Sequence, residues 1–172
     1  MEMTHVPVLL DEAVAALDIK PTGVYVDGTM GGGGHSKAIA SRLTTGRLIG
    51  VDKDDYAHSR AAQNLADVAD RVSFVRDDFC NLAHILDELD IPFIDGLLLD
   101  LGVSSFQLDD AARGFSYSKE APLDMRMDRS GGITAKEVVN TYDERALVDI
   151  LFRYGEERHA RRIAAAVVRQ RA

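Results

Sequence analysis

The chain of 172 residues contains a single cysteine, Cys80, so it can form neither an internal disulfide nor a cysteine-built zinc cluster, and a reducing compartment suits it. No apolar run approaches the roughly 18 residues that span a bilayer, and the start, Met1-Glu2-Met3-Thr4-His5, has no basic segment leading into a hydrophobic stretch. Neither export nor membrane insertion is expected; the cytoplasm is. Positive charge is scarce: 20 basic against 28 acidic side chains give a net charge of −8, which speaks against nonspecific binding to a phosphate backbone. Repeats and low-complexity tracts are missing as well. The histidines His5, His58, His84 and His159 show no metal-ligand spacing, and no metal is expected.

What is present reads as a folded protein, because 46% hydrophobic and 28% charged residues sit near the globular average. The charge is unevenly spread. Residues 1–152 carry 14 basic and 26 acidic side chains, whereas residues 153–172 carry six Arg against two Glu, so any nucleic-acid contact should be local.

The pattern of apolar residues alternates between two periods. Leu10, Ala13, Val14 and Leu17 fall at helical spacing, and Val24 to Val26 reads as a strand followed at once by a glycine cluster. A short helix with Ala38, Ile39 and Leu43 inward comes next, then a strand at Leu48 to Val51, a helix carrying Ala57, Ala61 and Leu65, and a strand at Val72 to Val75. Asn81 is an N-cap candidate for a helix striped by Leu82, Ile85, Leu86 and Leu89. The apolar run Ile94 to Leu99 has the character of a strand buried on both faces. Strands alternating with helices predict a parallel, doubly wound α/β sheet of Rossmann-like type.

Beyond Asp100 the rhythm stops, which divides the chain into an α/β part over 1–101 and a long loop with helices over 102–172. Residues 102–133 hold glycines, Pro122 and mixed charges without a period, and loops that long are usually functional or disordered. Thr134 with Glu137, and Thr141 with Glu144, match the capping-box spacing. Leu147, Ile150, Leu151 and Tyr154 then mark a helix ending near Gly155, and Ala160, Ile163, Ala164 and Val167 mark another that reaches the last residues without a stop signal. A truncated chain is the expectation.

The segment Asp27-Gly28-Thr29-Met30-Gly31-Gly32-Gly33-Gly34-His35 joins a strand to a helix, where glycines let a ligand approach the backbone. It matches no dinucleotide fingerprint, since the sixth position from Gly31 is Ser36 and from Gly32 is Lys37, and no Gly-Lys-Ser/Thr closes a phosphate loop. Strand ends of such sheets converge on the ligand crevice, which would gather Asp27, Asp52, Asp77, Asp78 and Asp100 there. Unit charges 4 Å apart interact by about 4 kcal/mol at an effective dielectric near 20, so that many carboxylates would repel a pyrophosphate and favour a cation. S-adenosylmethionine carries a sulfonium and an ammonium, and Asp52, 21 residues after Gly31, suits its ribose hydroxyls. Taken alone, Asp52 could equally be a strand-end turn acid or a helix cap.

Together these residues resemble the ribosomal RNA small subunit methyltransferase H family, of MraW type. The resemblance rests on His5-Val6-Pro7-Val8-Leu9-Leu10, the glycine loop through Ser36, Gly50-Val51-Asp52-Lys53-Asp54, and Asp100-Leu101-Gly102-Val103-Ser104-Ser105 with Gln107-Leu108-Asp109. It continues through Arg113-Gly114-Phe115-Ser116, Pro122 to Asp128, and Tyr154-Gly155-Glu156-Glu157. It implies S-adenosylmethionine-dependent N4-methylation of a cytidine in the decoding region of 16S rRNA, in the small ribosomal subunit. It also implies a cofactor site of Gly33, Gly34 and His35, with Asp52 at the ribose, Phe79 beside the adenine, and Asp100 and Gln107 near the methionine end. Without it, Phe79 would pass for a core aromatic and Gln107 for a surface residue.

An exocyclic cytosine amine needs no covalent intermediate. Asp100, or a backbone carbonyl in Leu101 to Ser104, is the candidate acceptor for its N–H, and Cys80 is expected to be a small buried hydrophobe. The target base must be unstacked to react, and the loop over 106–133 offers Arg113, Arg126 and Arg129 as phosphate contacts and Phe115 and Tyr117 as stacking platforms. Internal pairing of Arg126 with Asp124 or Asp128 is the competing expectation. Family members are longer, with a helical segment inserted before the remaining strands; those C-terminal strands are expected to be missing here, with weak cofactor binding and no methylation of ribosomal subunits by this length of chain. A small-molecule methyltransferase and a noncatalytic binding or assembly module are the alternatives.

Overall fold

A computed structural model describes residues 7–171 of the chain. They form two compact units that divide between Ser104 and Ser105. The first unit is built on four strands, β1 (Val24–Asp27), β2 (Arg47–Asp52), β3 (Val72–Arg76) and β4 (Gly96–Leu98), all parallel and ordered β3-β2-β1-β4. Helix α1 (Leu10–Ala16) precedes β1, α2 (Gly34–Ala40) links β1 to β2, α3 (Asp55–Asn64) links β2 to β3, and α4 (Leu82–Glu88) links β3 to β4.

Successive residues of a strand point to opposite faces, and here both faces are apolar. Tyr25 and Leu48 belong to one cluster with Val14, Ile39, Leu43, Ala61 and Leu65, drawn from α1, α2 and α3 and their ends. Val26, Ile49 and Val51 belong to a second cluster with Ile85, against which Leu82, Leu86 and Leu89 of the α4 segment pack. Full burial of each such aliphatic side chain contributes about 1.5–3 kcal/mol, so the two central strands anchor the unit. This is the expected Rossmann-like sheet with helices on both faces. The register sets Asp27 beside Gly50 and Leu98, and Asp52 beside Arg76, which aligns the carboxyl ends of the strands along one rim. The chain turns from β1 to one side for β2 and to the other for β4, and ligands bind open α/β sheets at such a reversal.

Local details depart from the sequence pattern. Of the run Ile94 to Leu99 only Gly96–Leu98 pairs, and β4 lies at the edge of the sheet; Leu98 is buried, but Leu97 and Leu99 are 41% and 40% exposed rather than covered on both faces. Asn81 makes no cap hydrogen bond to α4, because its amide donates to Asp77 Oδ1 at 2.8 Å. Asp78 takes the capping role one turn earlier, accepting from Cys80 N at the start of a 3-10 turn over Phe79–Asn81.

The second unit contains α5 (Ser105–Asp109), a 3-10 turn at Ala111–Arg113, α6 (Ala135–Thr141), α7 (Glu144–Arg153) and α8 (Ala160–Gln170). Thr134 and Glu137 form both halves of the expected capping box. The second expected box does not form: Asp143 caps α7 by accepting from Ala146 N, and Thr141 Oγ1 donates instead to Glu137 O inside α6. Helices α7 and α8 pack on each other, with Leu147, Ala160 and Ala164 buried. The stretch between α5 and α6 lacks periodicity yet is cross-linked through its backbone, with Met125 N donating to Arg113 O and Ala135 N to Asp124 O. Gly114, at φ +74°, allows the Pro122 carbonyl to approach to 2.3 Å from where a Cβ would stand.

Candidate cofactor site

The glycine loop leaves β1 at Asp27 and enters α2 at Gly34. Its path is fixed from three sides. Gly28 N donates to Leu98 O of β4, Met30 N donates to Val51 O of β2, and Gly31 N donates to Asp52 Oδ2 at 2.8 Å. Gly31 and Gly33 take positive φ, at +51° and +83°, the region in which an L side chain is strained. A Cβ at Gly31 would meet nothing closer than Thr29 O at 3.8 Å, so the backbone there is bare and approachable. A Cβ at Gly34 would instead stand 2.3 Å from Pro7 Cγ, because the segment before α1 crosses the start of α2. His35 is buried on that side, its Nε2 3.1 Å from Val8 O, so it joins the segment to the loop rather than facing the crevice as a free imidazole.

The carboxylates at the rim have distinct tasks. Asp52 accepts from Gly31 N through one oxygen and from Asp54 N through the other, at 2.9 Å, and the side chain stays partly exposed. A carboxylate has about four lone-pair sites, so two backbone donors leave acceptor capacity for a ligand hydroxyl. Asp100 is exposed just beyond β4, and its N–H donates to Thr29 Oγ1 at 2.7 Å, which ties the end of β4 to the loop. Asp78 pairs with Lys53 at 2.8 Å, and the hydrogen bond from that ammonium lowers its carboxyl to about 2. Asp77 is lowered by the Asn81 amide.

Asp27 does not belong to this rim. It is fully buried, accepts from Ser36 Oγ at 2.6 Å and from Thr29 N at 3.2 Å, and so fastens the end of β1 to α2. Burial raises its carboxyl above the usual range against those hydrogen bonds. The sequence pattern could not separate it from Asp52, since both end a strand.

Phe79 is 36% exposed at the turn after β3, and its Cβ lies 3.2 Å from where a Gly28 Cβ would stand. The ring is therefore at the carboxyl end of the sheet, beside the first glycine of the loop. Cys80 is exposed, not a buried hydrophobe. Its thiol donates to Asn81 Oδ1 at 3.7 Å, and the neighbouring Asp78 carboxylate raises it, which disfavours the thiolate a covalent route would need. Among the described residues no group of three or more His, Cys, Asp or Glu could hold a metal ion, and no helix is long and apolar enough to cross a membrane.

The remaining expected site residues lie in the second unit. Gln107 is buried in α5 rather than on the surface. Arg113, expected at a phosphate, is buried, and its Nη2 donates to Arg126 O at 3.1 Å and Met127 O at 2.8 Å, holding the irregular stretch together. Arg126 pairs internally with Asp124, its Nε and Nη2 donating at 2.9 and 2.8 Å, and this holds the Asp124 carboxyl well below the usual range. Arg129 is exposed, and Tyr117 is fully exposed.

A parallel sheet in the order 3-2-1-4, a bare glycine loop after the first strand, and a carboxylate after the second that grips that loop define a Rossmann-like α/β unit with a candidate cofactor site at its carboxyl rim. Residues 2–172 match the model of the MraW methylase family, and the chain belongs to that family. It is 52% identical to the ribosomal RNA small subunit methyltransferase H of Lachnospira eligens over 99% of its own length and 55% of that protein's. The enzyme of the same name from Clostridium botulinum strain Kyoto gives the same identity and coverage. The chain thus spans about half the length of the curated relatives it matches. Among solved structures, an rRNA methylase from Streptococcus thermophilus overlaps 48% of the chain and 49% of its own at a TM-score of 0.39 and 24% identity. NSun6 from Pyrococcus horikoshii overlaps 55% of the chain and 24% of its own at 0.45 and 26%. Overlaps of that size fix no residue's role.

Proposed function

We propose that the protein transfers a methyl group from S-adenosylmethionine to the exocyclic N4 of a cytidine in the decoding region of 16S rRNA, within the small ribosomal subunit. The observation that carries this reading is the Asp52 carboxylate, held by Gly31 N and Asp54 N at the mouth of a glycine loop whose rim holds acidic rather than basic free charge. Such a rim suits a cationic methyl donor, and the rRNA substrate follows from the family and from what its relatives are named for.

In this reading Gly31 to Gly34 offer bare backbone to the cofactor, Asp52 accepts the ribose hydroxyls, Phe79 lies beside the adenine, and Asp100 serves the methionine end. When bound, S-adenosylmethionine supplies an electrophilic methyl on a sulfonium. The chain's own residues orient the amine for in-line attack. Asp100, or a carbonyl in Leu101 to Ser104, accepts a hydrogen bond from the amine N–H; as the N–C bond forms and the sulfonium C–S bond breaks, the released proton passes to the Asp100 carboxylate or to water. A thiol nucleophile has no part, in keeping with the raised Cys80.

The test is nucleoside mass spectrometry of small-subunit rRNA incubated with S-adenosylmethionine and the protein at its relatives' full length. N4-methylcytidine is the expected product. A different methylated nucleoside, or methyl transfer only to free small molecules, overturns the reading.

A further inference from the structure

The acidic rim that suits a sulfonium repels RNA phosphates, so an RNA substrate needs an anchor of opposite sign elsewhere. Helix α8 and the turn that leads into it supply one. Arg153, Arg158, Arg161, Arg162 and Arg169 are all exposed, and none makes a hydrogen bond or ion pair through its side chain among the described residues. Glu156 and Glu157 lie in the same turn but pair with none of them; Glu157 accepts from His159 N instead. Several other arginines are engaged: Arg113 and Arg126 brace the irregular stretch, Arg71 donates to Leu43 O, and Arg171 donates to Val139 O and Tyr142 O; Arg42, Arg129 and Arg145 are also exposed, but they are scattered along the chain rather than gathered in one segment.

Folding does not account for the free set. Arg161 and Arg162 occupy the first turn of α8, which has no side-chain cap and no acidic residue there, a placement the helix dipole disfavours. At 100° per residue, Arg162 and Arg169 fall roughly opposite the buried Ala160 and Ala164, about 10.5 Å apart along the outer face. Phe152 near the end of α7 and Tyr154 at its C-cap, just before this turn in the chain, are 63% and 84% exposed. Free guanidiniums and exposed aromatic rings along one stretch of chain are the chemistry that binds a nucleic-acid backbone and stacks its unpaired bases.

We propose that this stretch is an RNA-docking surface: Arg158, Arg162 and Arg169 contact phosphates and Tyr154 stacks on an unpaired base. The proposal rests on the rRNA reading above, and its test separates the two. A fluorescein-labelled RNA hairpin with a cytidine-rich loop is titrated with the full chain between 50 and 200 mM salt. Replacing Arg158, Arg162 and Arg169 together by Ala should weaken binding on the order of 10- to 100-fold and reduce the salt slope by about 2, since each single-strand phosphate contact contributes about 0.7. Tyr154→Ala should weaken it roughly tenfold with the slope unchanged. S-adenosylmethionine binding by calorimetry should be the same in every variant. An unchanged affinity and slope in the triple variant, or no RNA binding by the parent chain at 50 mM salt while cofactor binding persists, overturns the surface and leaves the cofactor reading standing. Loss of both ligands from the parent chain overturns both.

Discussion

Removing the Asp52 carboxylate should loosen the glycine loop and weaken the cofactor together, by separable amounts. In Asp52→Ala two charge-assisted hydrogen bonds disappear, those from Gly31 N and Asp54 N, and the second belongs to a buried residue. Hydrogen bonds to charged groups contribute about 1.5–3 kcal/mol each, and water can reach Gly31 N but reaches Asp54 N poorly, so a net loss of about 2–4 kcal/mol is expected. For a unit of this size that lowers the melting temperature by roughly 10–25 °C. In Asp52→Asn one oxygen remains, so one of the two amides keeps its acceptor and the stability loss should be about half. The negative charge is gone in both variants, and affinity for S-adenosylmethionine should fall at least tenfold. Urea titration followed by circular dichroism reads the first quantity, amide exchange at Gly31 and Asp54 localises it, and calorimetry reads the second. A wild-type urea midpoint in Asp52→Ala with unchanged exchange at those two amides would falsify the pinning role; cofactor affinity within a factor of two in a folded Asp52→Asn would remove the ribose role and leave the pinning intact.

Three further perturbations test other contacts. Because burial raises the Asp27 carboxyl, its folded-state value lies above the unfolded one near 3.9, so its contribution is fully present below that pH and is lost as pH rises through the folded value. Asp27→Asn, whose amide oxygen can still accept from Ser36, should therefore gain in melting temperature relative to the parent between pH 4 and 7, and a difference that stays flat over that range contradicts the burial argument. Asp78 behaves oppositely: its carboxyl is lowered to about 2, so the Lys53 pair stabilises above the unfolded value and is lost as pH falls through about 2; being one-third exposed, it is screened to about 1 kcal/mol at most. The same carboxylate raises Cys80, so Asp78→Asn should shift the pH profile of iodoacetamide labelling at Cys80 downward, and an unshifted profile rules out that coupling. Gly114→Ala places a Cβ 2.3 Å from Pro122 O at φ +74° and should cost about 3 kcal/mol or more, whereas Gly131→Ala meets nothing within 4 Å and should be near neutral; equal urea midpoints for the two would refute the close approach.

The βαβ rhythm was legible because strand and helix periods are local properties, repeated in every segment from Val24 to Leu99. The loop and Asp52 were legible because a parallel sheet fixes where strand ends must lie. Roles that depend on neighbours distant in sequence were not. Asp27 and Asp52 both close a strand, yet one faces Ser36 in the interior and the other holds the outside of the loop, a difference set by how α2 docks. Two spacings matched a capping box, but only Thr134 caps its helix, since Asp143 offers α7 a nearer acceptor.

By itself the sequence determined the alternation of elements, the glycine-bare turn and the basic tail, because each is written in residue type and spacing along a few turns of chain. The tertiary structure alone decided which charges are spent. Arg113 and Arg126 are consumed by carbonyls and by Asp124, Cys80 is turned outward beside an acid, and Arg158, Arg161, Arg162 and Arg169 stay free. The reason is that a side chain's pairing and burial depend on the surfaces that folding brings to it, and those surfaces come from residues far away along the chain.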